Sequence, residues 1–152
     1  IKVPCNGVVN DNREVLKDYS DINKYKVEKD GEKVAVLALG DFYQLGEKVV
    51  EYLKEQLDIN ATLVNPRYIT GIDEELLNNL KKNHSLVITL EDGILDGGFG
   101  EKIASFYGTS DMKVKNYGIK KDFYDKYDVK ELLEENRLTK EQIVEDVKEL
   151  IK

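Results

Sequence analysis

Arg67 is the residue best placed to meet a ligand. It follows an apolar run, in Val64-Asn65-Pro66-Arg67-Tyr68, that reads as a parallel strand. In open α/β sheets, ligands gather outside the carboxyl ends of strands. A planar guanidinium there can grip a phosphate through two parallel hydrogen bonds. It can equally pair with a nearby Asp or Glu, and the residues alone leave both readings open. Glu91-Asp92 closes another apolar run. Paired acids there could serve acid/base chemistry, cap the following loop, or bond a neighbouring domain; the last is the expectation. Asp96-Gly97-Gly98-Phe99-Gly100 comes next. Backbone amides in such a turn can hold an anion where a helix begins. The turn lacks the Lys-Ser/Thr of a P-loop and the full Gly-x-Gly-x-x-Gly spacing. Gly97, Gly98 and Gly100 are therefore expected to permit a tight turn and close packing.

Other chemistry has little to work with. There is one His and one Cys, with no Cys-x-x-Cys pair, so a zinc site is not expected. His84 ends Lys81-Lys82-Asn83-His84, at a predicted helix end before a strand. A His there is expected to meet the helix C-terminus rather than to catalyse. Cys5 has no neighbour that would lower its pKa and reads as an ordinary thiol. No catalytic residue is assigned.

The chain holds 152 residues, with 23 Lys+Arg against 30 Asp+Glu, a net charge of −7. That length suits one domain with a real core. The acidic balance argues against a general nucleic-acid binder. No apolar run approaches the roughly 20 residues of a membrane span, and a lone cysteine cannot build a disulfide framework. The sequence opens on Ile1 and reads as part of something longer. Residues 1–23, with Pro4, Gly7 and several Asn and Asp, read as a linker or the end of a preceding domain. Residues 24–152 read as the domain itself.

The elements that must position these residues alternate. Lys24 to Leu39 reads as a hairpin turning at Asp30-Gly31. Its second arm, Lys33 to Leu39, is nearly all apolar and suits a strand buried on both faces. The more polar first arm is placed at the sheet edge, antiparallel to its neighbour. Phe42, Leu45, Val49, Leu53 and Leu57 make a helical stripe, with Asp41 as the expected cap. Ala61–Asn65 is a short strand, and Asp73 is expected to cap a helix carrying Leu76, Leu77 and Leu80. Ser85–Leu90 is a core strand, Glu101–Tyr107 a helix and Lys113–Tyr117 a weaker strand. Leu132 and Leu133 lie in a short helix. Thr139 to Gln142 has capping-box spacing before the stripe Ile143, Val147, Leu150 and Ile151. The fold class is α/β: three layers, a mostly parallel sheet of about five strands with one antiparallel edge strand, and helices on both faces.

Several segments resemble 1-deoxy-D-xylulose-5-phosphate synthases. Asn65-Pro66-Arg67-Tyr68-Ile69-Thr70-Gly71-Ile72-Asp73-Glu74 is similar to a family segment in which an Arg-aromatic pair and an apolar residue precede Lys-Pro-Leu-Asp-Glu. Thr89-Leu90-Glu91-Asp92-Gly93 through Gly97-Gly98-Phe99-Gly100 resembles the acidic pair and Gly-Gly-x-Gly turn. Tyr117-Gly118-Ile119 with Asp122-Phe123 resembles Gly-Ile-Pro-Asp-x-Phe, and Ile1-Lys2-Val3-Pro4 the end of the pyrimidine-binding domain. Thr70-Gly71 replaces Lys-Pro, and Lys120-Lys121 stands where the family has one Pro. The resemblance covers the C-terminal third of such an enzyme, a domain type shared with transketolases and 2-oxo acid dehydrogenase β subunits. A free-standing module binding an anion or another protein is the reading from a different class.

The resemblance implies a cytoplasmic, homodimeric parent that condenses pyruvate with D-glyceraldehyde 3-phosphate. The product is a precursor for isoprenoids, thiamine and pyridoxal. Thiamine diphosphate and Mg²⁺, which supply the hard chemistry, would be held by the remaining domains of the same enzyme. This part would bind no cofactor and turn nothing over. The resemblance gives Arg67 the substrate phosphate. It gives Glu91, Asp92, Gly97, Gly98 and Gly100 a loop facing other domains or the dimer partner. No nucleic acid or membrane partner is implied.

Overall fold

In a computed structural model, which describes residues 17–152, the elements run in chain order. They are β1 (Lys26–Lys29), β2 (Lys33–Ala38), a 3₁₀ turn (Gly40–Phe42), α1 (Tyr43–Leu57), β3 (Thr62–Asn65), α2 (Glu74–Leu80) and β4 (His84–Ile94). Then come α3 (Phe99–Tyr107), β5 (Lys113–Ile119), α4 (Val129–Glu135) and α5 (Lys140–Leu150). Cys5 and the Ile1–Pro4 segment lie outside the described residues.

The strands form one sheet in the order β1-β3-β2-β4-β5. Only β1 is antiparallel, against β3; the other pairs are parallel. The expected architecture is thus present, with both faces covered. Val34, Val36 and Ala38 of β2 point to one face, against α1 and α5. Ala35 and Leu37 point to the other, against α2 and α3. This two-sided burial is why β2 reads as an unbroken apolar run.

The expected hairpin is not formed. β1 and β2 are consecutive, but β3 lies between them. The Glu32 amide donates to the Asn60 carbonyl at 2.8 Å, and a Cβ on Gly31 would collide with that same carbonyl. The chain therefore runs close under the α1–β3 loop, leaving room for β3. The left-handed residue is Lys33, at φ 68°, rather than Gly31.

The caps divide. Asp73 Oδ1 accepts the Leu76 amide at 3.1 Å, as expected. Thr139 Oγ1 accepts the Gln142 amide at 3.4 Å and donates to Gln142 Oε1 at 3.0 Å. Asp41 does not cap α1: it lies inside the 3₁₀ turn, and Phe42 is the N-cap without a side-chain bond. The 3₁₀ turn starts the helical path early and moves Asp41 past the capping position.

Candidate functional site

Sheet order locates the carboxyl-edge crevice. From β2 the chain moves to β3 on one side, then back past β2 to β4. The switch point lies between β2 and β4, where such sheets bind ligands. A cleft of about 600 Å³ opens there, lined by Asp41, Phe42, Asp92, Ile94, Tyr124 and Tyr127 among others, with no Lys or Arg among the described residues of its wall. Ile94, Tyr127 and Val129, all at this cleft, are 45%, 58% and 53% exposed. Acidic walls repel a phosphate. Sequence reasoning missed this cleft because its walls come from four separated segments.

The acidic pair splits. Glu91 is 4% exposed and Asp92 is exposed at the cleft. Glu91 Oε2 accepts the Phe99 amide at 2.7 Å, and Oε1 accepts the Gly100 amide at 3.0 Å. These are the first amides of α3, where donors and the helix dipole favour an anion. The anion at this helix start is the chain's own carboxylate. Of the readings open to Glu91, the geometry is that of a cap; its side chain turns inward.

The glycines fit around it. A Cβ on Gly98 would collide with Glu91 Oε2, and one on Gly100 would lie 2.6 Å from Thr89 Oγ1. Gly97 takes φ +73° with open space about it. The tight turn and close packing expected of this cluster are what the geometry displays. Strand β4 runs on through Glu91 to Ile94, four residues beyond the expected end. α3 starts at Phe99, two residues early.

Arg67 stands just beyond β3, part-buried, at φ 60°. It centres a three-residue turn in which the Tyr68 amide reaches the Pro66 carbonyl at 2.6 Å. The Asn65 side chain accepts the Arg67 amide at 3.1 Å. One terminal guanidinium nitrogen donates to the Lys24 carbonyl at 2.6 Å. Nε is closed off from solvent and, among the described residues, has no hydrogen-bond partner. Among the described residues no Asp or Glu pairs with Arg67. The loop after Arg67 and the Gly97–Gly98 turn share a groove of about 510 Å³, lined also by Glu101, Lys102 and Phe106. Its charged groups are engaged: Lys102 bonds the Ile69 carbonyl at 2.7 Å, and Glu101 the Gly97 amide at 2.9 Å.

His84 sits at the opposite edge, where β4 begins. Its Nδ1 lies 3.0 Å from the Leu80 carbonyl at the end of α2. A carbonyl only accepts, so Nδ1 carries the proton and the neutral ring's Nε2 accepts from the Thr62 hydroxyl at 2.8 Å. Burial lowers the pKa of this imidazole below its ordinary value. It meets a helix C-terminus as expected.

The helix start behind the glycine turn, the natural seat for a diphosphate, is filled by Glu91. Among the described residues no three His, Cys, Asp or Glu gather where they could hold a metal. No described helix is long and apolar enough to cross a membrane.

Comparison with known proteins follows the same lines. Residues 23–143 match the family described as transketolase, C-terminal domain. The 1-deoxy-D-xylulose-5-phosphate synthase of Alkaliphilus oremlandii is 36% identical over 120 residues, 78% of this chain and 19% of that protein. That of Exiguobacterium sibiricum is 33% identical over 140 residues, 91% of this chain and 22% of that protein. The chain thus spans about a fifth of the length of these relatives. A split-gene transketolase, solved as an inactive β4 tetramer, superimposes with a TM-score of 0.73 at 26% identity, over 85% of this chain and 41% of that one. A 2-oxoglutarate:ferredoxin oxidoreductase from Magnetococcus marinus shares the fold, with a TM-score of 0.55 at 19% identity over 85% of this chain and 20% of that one. The sheet order, the two-sided core and these matches agree: the chain belongs to the transketolase C-terminal domain family.

Proposed function

We propose that this domain is the C-terminal part of a thiamine-diphosphate-dependent 1-deoxy-D-xylulose-5-phosphate synthase. The observation that carries the reading is a run of eight relatives bearing that name, 32–37% identical over 70–91% of the chain. The complete enzyme would join pyruvate to D-glyceraldehyde 3-phosphate with loss of carbon dioxide. The other domains would hold thiamine diphosphate and Mg²⁺, since the helix start that could take a diphosphate here is filled. This domain would supply the acidic, apolar switch-point cleft as a docking surface for those domains or for the second subunit of a homodimer.

One observation favours a direct substrate contact by Arg67: its buried Nε lacks an acceptor among the described residues. Against it, that atom is shut away from solvent, and one terminal nitrogen is already spent on a carbonyl. A phosphate could meet Nε only after the loop moved.

The test is an assay of the complete enzyme with pyruvate, glyceraldehyde 3-phosphate, Mg²⁺ and thiamine diphosphate. Formation of 1-deoxy-D-xylulose 5-phosphate supports the reading. Ketol transfer between sugar phosphates without loss of carbon dioxide would make the parent a transketolase, the second reading, which the 0.73 superposition favours. Absence of both would overturn the synthase and the transketolase readings.

A further inference from the structure

The loop after β3 grips the chain that leads into β1. Arg67 donates to the Lys24 carbonyl at 2.6 Å, and the Tyr68 hydroxyl to the Tyr19 carbonyl at 3.4 Å. The Thr70 hydroxyl donates to Asn23 Oδ1 at 2.7 Å. In return the Tyr25 amide donates to Asp73 Oδ2 at 2.9 Å, and the Tyr25 hydroxyl to the Gly71 carbonyl at 3.4 Å. A Cβ on Gly71 would lie 2.6 Å from Asn23 Nδ2, so the two stretches are in close contact.

The loop's geometry serves this grip. Two of the left-handed non-glycine residues, Asn23 at φ 63° and Arg67 at φ 60°, face each other's segments here. Asn tolerates that conformation; Arg does so at a cost, and strain of this kind persists only where surroundings hold it. What holds Arg67 is the bond from its side chain to Lys24 and the Asn65 bond to its amide. Asp73 is 6% exposed and uses one oxygen for the Tyr25 amide and the other for the first turn of α2. The incoming chain and α2 are thereby fixed to one carboxylate.

We infer that residues 67–73 form a clamp that sets the direction in which the polypeptide enters this domain, with Arg67 and Asp73 as positioning residues. Resting on the proposed function, the gripped segment joins the upstream part of the same enzyme. The clamp then makes that joint rigid, so loop and domain orientation move together. Arg67 acts on turnover through the backbone of Lys24, not through the substrate phosphate.

The test compares Arg67→Ala and the milder Thr70→Val with wild type in the complete enzyme. Amide hydrogen exchange is read over residues 19–25, and steady-state kinetics for both substrates. Loss of the Arg67 bond is expected to speed exchange there roughly tenfold, with β2 and β4 unchanged. Thr70→Val, which alters no charge, speeds it less over the same residues. In Arg67→Ala, kcat falls while KM for glyceraldehyde 3-phosphate and for pyruvate stays within about twofold of wild type. Wild-type exchange over 19–25 in both variants overturns the clamp. So does a rise in KM confined to the phosphorylated substrate with exchange unchanged. An enzyme that forms no 1-deoxy-D-xylulose 5-phosphate overturns the functional reading alone, because exchange still decides the clamp.

Discussion

The Glu91 carboxylate seats the start of α3: its Oε2 lies 2.7 Å from the amide of Phe99, eight residues on, in a buried setting. Strand β4 is thus bonded directly to a helix start, and Gly98 leaves the room this needs.

Glu91→Gln is expected to destabilise the chain. It removes the charge that strengthens two amide bonds and turns a donor toward donors. Charge-assisted bonds of this kind contribute about 1.5–3 kcal/mol. Glu91→Ala should cost more, because two buried amides lose their acceptor. Urea unfolding checks this through the midpoint, with the slope unchanged. Wild-type midpoints in both variants would show that water replaces the carboxylate.

Gly46 gives a prediction of unusual sign. A Gly→Ala change inside a helix ordinarily gains about 1 kcal/mol. Here the added Cβ would lie 2.5 Å from Ala38 Cβ and 3.2 Å from a Leu63 methyl. Ala38 belongs to β2 and is fully buried, so it cannot give way. Overpacking of this sort costs about 1–3 kcal/mol. Gly46→Ala should therefore lower the melting temperature, and a raised melting temperature would refute the close approach of α1 to the sheet.

The contrast between what could and could not be read in the chain has physical causes. The strands β2 and β4 were legible because burial on both faces forces an unbroken apolar run. The Asp73 cap was legible because a cap bonds within three residues. The hairpin was misread because Asp30-Gly31 signals that the chain turns, not what enters the gap; β3 enters it from thirty residues on. The inward turn of Glu91 was hidden for the same reason. An acid at a strand end looks alike whether it faces solvent or a helix start, and only the packing of α3 on β4 decides. The Arg67 bond to Lys24 spans 43 residues and ends on a backbone carbonyl, which no side-chain pattern announces.

His84 predicts a pH dependence. Burial depresses its folded pKa below the ordinary 6.5, more than the bond to Leu80 and the charges of Asp30 and Glu32 raise it. The unfolded chain then binds the proton first as pH falls. The neutral ring's contribution is complete above about pH 6.5 and is lost as pH drops through the lowered folded value. His84→Asn should lose that component, so its stability should fall less than wild type between neutral and mildly acidic pH. Parallel curves for the two proteins would mean that His84 titrates alike folded and unfolded.

The switch-point cleft makes the last prediction. Ile94, Tyr127 and Val129 leave apolar surface at the carboxyl edge of the sheet. If this face receives another domain or subunit, the isolated chain exposes it and should self-associate as concentration rises. Val129→Glu is a clean probe. Val129 is the first residue of α4, capped by Asp128, whose Oδ1 accepts the Lys130 and Glu131 amides at 2.8 and 3.1 Å. An acid in a first helical turn is favoured by the dipole, so the change should spare the fold while charging the patch. Combined with Tyr127→Ser, it should shift sedimentation toward the monomer. Ile69→Ser, 58% exposed in the loop after β3 and outside this cleft, serves as the control for apolar exposure in general. Association that weakens equally in the control would place the contact elsewhere, and the cleft would lose its assignment as a docking face.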